Sequence, residues 1–253
     1  MRCLKLIVLV ASILDCYDGH MNTPKQSDRL TPLQAPYNNL YLQKTPTLEE
    51  AVLAFCSQSV SDLPTVTATS DKFPIEVMAS PPLQANFLQM LIRLSDTTSI
   101  LEIGTFIGLT TLAFAQALGE NGHVTTIEKG DEFGAIARTN FNSNPLGKKI
   151  SSHVGDAFKI IPSLPKDLTF DFVFLDGAKE IYWEIFTVAR DRMKSGAVLV
   201  ADDVFCQGDA LQTTPQTEKG TGTKRFVENM VKETGWTSTV VPIFNGLLIA
   251  KKL

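Results

Sequence analysis

The sequence predicts an α/β protein: a doubly wound, mostly parallel sheet that ends in an antiparallel hairpin and is preceded by N-terminal helices. Three observations carry this. Four short apolar runs, residues 99–103, 124–127, 170–175 and 197–201, each lead through a turn into ten or more helix-compatible residues, the pattern of successive βαβ units. A glycine turn from Gly104 to Gly108 directly follows the first run, where open α/β sheets of the Rossmann-like kind place their ligands. Two later runs, 237–242 and 247–251, flank Phe244-Asn245-Gly246, and Asn-Gly between apolar runs signals a hairpin.

The elements follow in order. Arg2, Lys5 and the apolar run 6–14 imitate a signal peptide. That run is too short to span a bilayer, and Asp15-Cys16-Tyr17-Asp18 lacks the small residues of a cleavage site. Residues 1–20 are therefore either a signal-like leader or untranslated sequence before a start at Met21. A cytoplasmic location is the expectation, with secretion or tethering if 1–20 act as a signal, and no transmembrane span is expected. Residues 21–46 carry Pro24, Pro32 and Pro36 and read as a flexible lead, leaving 47–253 as a single domain. Thr47 suits the N-cap of a first helix over 48–59, and 61–74 read as a loop. Leu83, Phe87, Leu88, Leu91 and Ile92 then recur at helical spacing, an amphipathic helix over 82–93.

With 44% hydrophobic and 20% charged residues in a chain of 253, and a net charge of −4, the composition is that of a globular domain and excludes disordered and collagen-like chains. The acidic balance gives no general attraction to nucleic acid. Cysteines at 3, 16, 56 and 206 lack the paired spacing of a zinc ribbon or a disulfide framework. Histidines at 20, 123 and 153 are too scattered for a metal cluster, and a histidine base is not expected.

The chemistry-bearing residues gather at strand ends. Gly104 and Gly108 lack the third glycine of a dinucleotide fingerprint and the Lys-Ser/Thr of a P-loop. Glu102, two residues before Gly104, would repel a pyrophosphate and attract an ammonium group. Glu128 closes the second strand, where a carboxylate can accept both hydroxyls of a ribose. A ribose with an ammonium describes S-adenosylmethionine better than NAD. Gly155-Asp156-Ala157 is a third strand-end element, suited to face the adenine. Asp176 ends one strand and Asp202-Asp203 the next, and neighbouring strands lie about 4.8 Å apart. Carboxylates so close call for a cation, and oxygen donors without His or Cys favour Mg²⁺ or Ca²⁺ over zinc. Lys179, three residues past Asp176, reaches the same rim, where a cation and burial would lower its pKa enough for a base.

From about residue 78 to 253 the chain resembles the cation-dependent O-methyltransferases, the group of catechol and caffeoyl-CoA O-methyltransferases. The resemblance rests on Met78-Ala79-Ser80, the turn from Leu101 to Gly108, Thr126-Ile127-Glu128, Gly155-Asp156-Ala157, Asp176 with Lys179, Ala201-Asp202-Asp203 and the closing hairpin. It implies that Ser80, Glu102, Gly104, Thr105, Gly108 and Thr110 line the methionine end of the cofactor. Glu128 would then hold the ribose, and Asp156 and Ala157 would meet the adenine. Asp176, Asp202 and Asp203 would bind the metal, Mg²⁺ first, with Ca²⁺ or Mn²⁺ as alternatives. Asp176 would also touch the cofactor and Lys179 would be the base. The implied acceptor is an aromatic with adjacent hydroxyls, and the implied assembly is a homodimer through the first helix.

Two departures stand out: Asp203 replaces a usual Asn, and Ala178 replaces a Trp expected of a catechol pocket. Residues 205–223 are expected to form a loop over the substrate, with Trp183 and Trp236 as packing residues and Cys206 a packed or loop thiol. A methyltransferase of a hydroxylated tRNA base is one alternative, drawing on Lys148-Lys149 and Lys224-Arg225, although such pairs usually form a solvated face. A non-catalytic S-adenosylmethionine-binding protein with an altered metal site is the other.

Overall fold

The computed structural model describes residues 62–69 and 80–253. The expected leader, lead, first helix with its dimer contact, and Met78-Ala79 lie outside the described residues. Seven strands form one sheet: β1 (Ser99–Ile103), β2 (His123–Glu128), β3 (Ile150–Val154), β4 (Phe170–Leu175), β5 (Met193–Ala201), β6 (Trp236–Val241) and β7 (Leu247–Lys252). Their order is β3-β2-β1-β4-β5-β7-β6. The first five pair in parallel, and β7 runs antiparallel to both β5 and β6.

Side chains alternate across the sheet with a period of two. Ile100, Val124, Phe172, Phe174 and Val200 face one core, with Leu88 and Ile92 of α1 (Pro82–Leu94) and Phe114 of α2 (Leu109–Ala117). The helix α3 (Asp131–Asn142) packs beside α2 through Ala137, Phe141 and Leu112. Leu101, Ile103, Val173, Leu175 and Leu199 face the other core. That side is covered by α4 (Ala157–Ser163), α5 (Tyr182–Ala189) and α6 (Glu218–Lys232). Strands covered on both faces read as near-continuous apolar runs, which is why β1 and β4 occupy their expected residues. Trp183 and Trp236 both pack on Phe186, with ring centroids 5.3 and 5.2 Å apart, as expected of packing residues.

Four local expectations are corrected. β3 was expected only through its end at Gly155-Asp156-Ala157 and not as a run of its own, because Ile-Ser-Ser-His-Val has no apolar run and sits half-buried at the sheet edge. β5 begins four residues before the expected start, through exposed Lys194, Ser195 and Gly196. The expected loop over 205–223 gives way to α6 at Glu218, where the Thr217 side chain accepts from Gly220 N. The glycines that suggested a loop are packing positions: a side chain at Gly222 would run into the backbone of Lys179 and Glu180. The hairpin pairs Val241 with Leu247, so its connection is residues 242–246. Positive φ falls on Phe244 (50°) and Gly246 (85°), so this is not the two-residue Asn-Gly turn.

The sheet order places the site. From β1 the chain moves outward to β2 and β3, then returns to β4 on β1's other side, so the carboxyl ends of β1 and β4 open the crevice of a topological switch point. No helix among the described residues is long and apolar enough to cross a membrane.

Candidate active site

Beyond β1 the backbone turns sharply. Gly104 has φ 105° and donates its N–H to Ile127 O at 2.9 Å. A Cβ there would collide with the Asp176 carbonyl group and lie 2.6 Å from its carbon. Gly108 has φ 88°, and a Cβ there would press on the Phe141 ring at 2.7 Å. Both expected glycines are thus required, one by a neighbouring strand end and the other by α3.

Glu102 lies wholly buried beneath this turn. Its Oε2 accepts from Thr111 Oγ1 at 2.5 Å and from Thr126 Oγ1 at 2.6 Å, while Oε1 has no partner. Thr105 joins through a 2.5 Å bond to Thr126. Burial, reinforced by the charges of Asp176 and Glu128, pushes Glu102 up to about 8 against the pull of the two threonines.

Glu128, at the end of β2, accepts from Phe106 N on Oε2 and from Gly130 N on Oε1, both at 2.8 Å. These bonds fix its carboxylate beside the glycine turn and leave lone pairs on both oxygens. Asp156 is exposed and caps α4 by accepting from Phe158 N at 2.9 Å, with Ala157 the first residue of that helix. Gly155 N donates to Glu128 O at 2.8 Å, so the ends of β2 and β3 meet. Thr110 Oγ1 donates to Ser80 Oγ at 3.3 Å, which brings the expected methionine-end pair together.

The acidic rim forms where β4 and β5 end side by side. Asp202 N donates to Leu175 O at 2.9 Å. Lys179 Nζ stands between two carboxylates, 3.3 Å from Asp176 Oδ1 and 3.4 Å from Asp203 Oδ2. Burial pushes Asp202 up to about 7, with Asp176 adding to the shift. Burial also raises Asp176 and Asp203, although Lys179 opposes it at both. Burial works against the Lys179 ammonium, but Tyr182, Asp176, Asp203 and Asp202 outweigh it and raise the pKa; the expected lowering was tied to a neighbouring divalent cation. Among the described residues no three Asp, Glu, His or Cys side chains stand grouped to hold a metal ion. Asp176 and Asp203 converge on the Lys179 ammonium, while Asp202 is turned to Gln84.

Several residues at the site were not foreseen. Gln84 is buried and donates from Nε2 to Asp202 Oδ2 at 2.6 Å. Its signal was a polar residue on the same helical stripe as Leu88 and Ile92. Tyr182 lies with its hydroxyl 3.0 Å from Asp202 O and 3.3 Å from Leu175 O, and with its ring 5.7 Å from Lys179 Nζ. Asn245, read only as a turn residue, donates to Asp203 Oδ1 and accepts from Gln207 N at 2.9 Å. Cys206 is partly buried, and burial, with the charges of Asp203 and Asp209, pushes its thiol up.

Comparison with known proteins agrees with this geometry. A family model described as O-methyltransferase matches residues 54–253. A catechol O-methyltransferase of Niastella koreensis is 30% identical over 176 residues, covering 67% of this chain and 80% of that one. A caffeoyl-CoA O-methyltransferase of Petroselinum crispum is 28% identical over 169 residues, covering 65% and 69%. The crystal structure of the O-methyltransferase TomG from Streptomyces achromogenes, in complex with SAM, superposes with a TM-score of 0.67 at 26% identity, covering 90% of this chain and 98% of that one. With a family match across most of its length, and a fold whose glycine turn and acidic rim share one switch point, the chain belongs to the O-methyltransferase family.

Proposed function

We propose that this O-methyltransferase takes its methyl group from S-adenosylmethionine and, with a divalent cation, transfers it to one of two adjacent hydroxyls on an aromatic small molecule. The observation that carries the proposal is the close approach of the glycine turn and the acidic rim, with Gly104 packed directly on the Asp176 backbone. A donor held by the turn and an acceptor held by the rim would be neighbours, and orientation of that kind contributes much of an enzyme's rate.

The residues fit both groups. The unpartnered, buried Glu102 Oε1 calls for a donor, and the turn has no room for side chains at Gly104 and Gly108. Ser80, Thr105 and Thr110 would share the methionine end with Asp176, Glu128 would take the ribose, and Asp156 and Ala157 the adenine. Bound S-adenosylmethionine supplies an electrophilic methyl on its sulfonium. At the rim, three half-buried carboxylates lie around one ammonium, an excess of negative charge made only of hard oxygen donors, which suits Mg²⁺, Mn²⁺ or Ca²⁺. A bound cation lowers the proton affinity of adjacent hydroxyl oxygens. Asp176, Asp202 and Asp203 would hold it, with Gln84 orienting Asp202 and Asn245 orienting Asp203. Lys179 keeps its proton while the carboxylates' charge is unmet. Once that charge is taken up elsewhere, Nζ can lose its proton and accept the one leaving the acceptor hydroxyl.

Three of the four basic residues behind the tRNA reading are engaged within the fold, while Lys148 stays exposed. Lys149 Nζ donates to Ala115 O and Leu118 O, Lys224 Nζ to Gln212 O and Thr213 O, and Arg225 to Glu184. The test is a matched acceptor panel: catechol and caffeoyl compounds against analogues with a single hydroxyl, using labelled S-adenosylmethionine and Mg²⁺. Labelling confined to the adjacent-hydroxyl members supports the proposal. Equal labelling of both sets overturns the chelating role of the rim.

A further inference from the structure

Glu102 has all its hydrogen bonds on one oxygen. Oε2 accepts from Thr111 of α2 and Thr126 of β2, while Oε1 is buried without a partner. The direction of the chain follows from the hydroxyls. Thr126 uses its single hydrogen on Glu102, so the bond between Thr105 and Thr126 is donated by Thr105. Thr105 Oγ1 is then left as an acceptor, and so is Glu102 Oε1. With Glu102 ionised the cluster offers only acceptors; with Glu102 protonated, the hydrogen sits on Oε1, the oxygen that accepts no bond.

The charged groups acting on Glu102 are Asp176 at the end of β4 and Glu128 at the end of β2, both carboxylates. An ionised Glu102 therefore has no counter-charge among them, and an unpaired buried charge is costly. Burial accordingly pushes its carboxyl up to about 8.

We propose that Thr111 and Thr126 hold Glu102 as a proton-exchanging counter-charge, neutral while the turn lacks a cation and ionised when a ligand's ammonium arrives, so that binding releases a proton from the protein. The balance is simple: the carboxylic O–H breaks, its proton goes to solvent, and the carboxylate pairs with the ammonium. Thr111 and Thr126 are positioning residues, acting through Glu102. This inference rests on the S-adenosylmethionine reading above.

The experiment is calorimetric titration of the full chain with S-adenosylhomocysteine, which carries the ammonium and no sulfonium. Saturating Mg²⁺ keeps the rim carboxylates ionised, and buffers of low and high ionisation enthalpy report the protons released. The wild type is expected to release close to one proton at pH 7, falling to about half near pH 8, with affinity rising nearly tenfold from pH 6 to pH 7. Glu102→Gln is expected to lose that release. Thr126→Val, which removes a donor to the ionised form, is expected to move the half-point to higher pH and serves if the first variant does not fold. Binding with no proton release, or with equal release from wild type and Glu102→Gln, overturns the inference and leaves the cofactor reading standing. Absence of binding by the wild type overturns the cofactor reading itself.

Discussion

Replacing Gly104 by alanine would put a methyl group into space already occupied by the next strand's backbone. The added Cβ would strike the Asp176 carbonyl, 2.6 Å from its carbon and 3.0 Å from Gly177 N, and all three neighbours are main-chain atoms that cannot swing aside. Two costs add. A backbone conformation at φ 105° disfavours any L side chain, at about 1–3 kcal/mol, and overpacking against a fixed wall adds about 1–3 kcal/mol. Gly196 separates them: its φ is also positive, at 81°, but a Cβ there would meet nothing within 4 Å. Gly196→Ala should therefore show the conformational cost alone, and Gly104→Ala should exceed it by about 2 kcal/mol. In a chain of this size that difference is about 4–8 °C in Tm. Thermal unfolding of both variants, with S-adenosylhomocysteine binding measured beside it, is the assay. If the two variants melted together, or Gly104→Ala bound the ligand as tightly as the wild type, the close approach of the turn to Asp176 would be refuted.

Three further outcomes are expected. Lys179→Met should lower turnover about 10²–10⁴-fold. In chelator it should also cost about 1–3 kcal/mol of stability, because the rim carboxylates lose their partly buried cation, and Mg²⁺ should restore part of that loss in a melting experiment. Glu102 keeps its proton in the folded chain up to about pH 8 but loses it near its ordinary value of 4.5 once unfolded. Its stabilising contribution is whole below pH 4.5 and declines as pH rises toward 8, by about 3 kcal/mol at pH 7; Glu102→Gln should flatten that decline in Tm measured from pH 5 to 8. Asp209, buried, accepts from Gln216 N at 2.7 Å, Thr217 N at 3.0 Å and Thr217 Oγ1 at 2.6 Å. Asp209→Ala should cost about 2–3 kcal/mol and open residues 212–217 to limited proteolysis.

The parts of the molecule legible in sequence are those set by local residue type. β4 announces itself because Phe170–Leu175 is almost wholly buried. The glycine turn does so because only glycine tolerates its conformations and contacts. β3 was hidden because an edge strand needs no apolar run. Gly220 and Gly222 misled because a glycine that admits a neighbouring chain looks the same as one that breaks a helix. At the site, the residue types at strand ends pointed to Glu102, Glu128, Asp176, Asp202 and Lys179, which the fold brings to the ends of neighbouring strands. Their partners were not readable, since Gln84 meets Asp202 across 118 residues and Thr126 meets Glu102 across 24. The raised pKa of Lys179 was unreadable for the same reason. It depends on which carboxylates stand within reach, and the spacing to Asp176 could not show Asp203 on the other side.

The central claim, that the acidic rim works with a cation and Lys179 to activate an acceptor oxygen, is tested most directly by single-turnover methyl transfer from labelled S-adenosylmethionine to a catechol. Wild type and Lys179→Met would be compared in Mg²⁺ and in chelator, with cofactor binding confirmed for each. The account predicts rapid labelling by the wild type in Mg²⁺ alone, with both chelator and the substitution slowing it by at least about a hundredfold. Undiminished transfer in chelator, or by Lys179→Met, would contradict it.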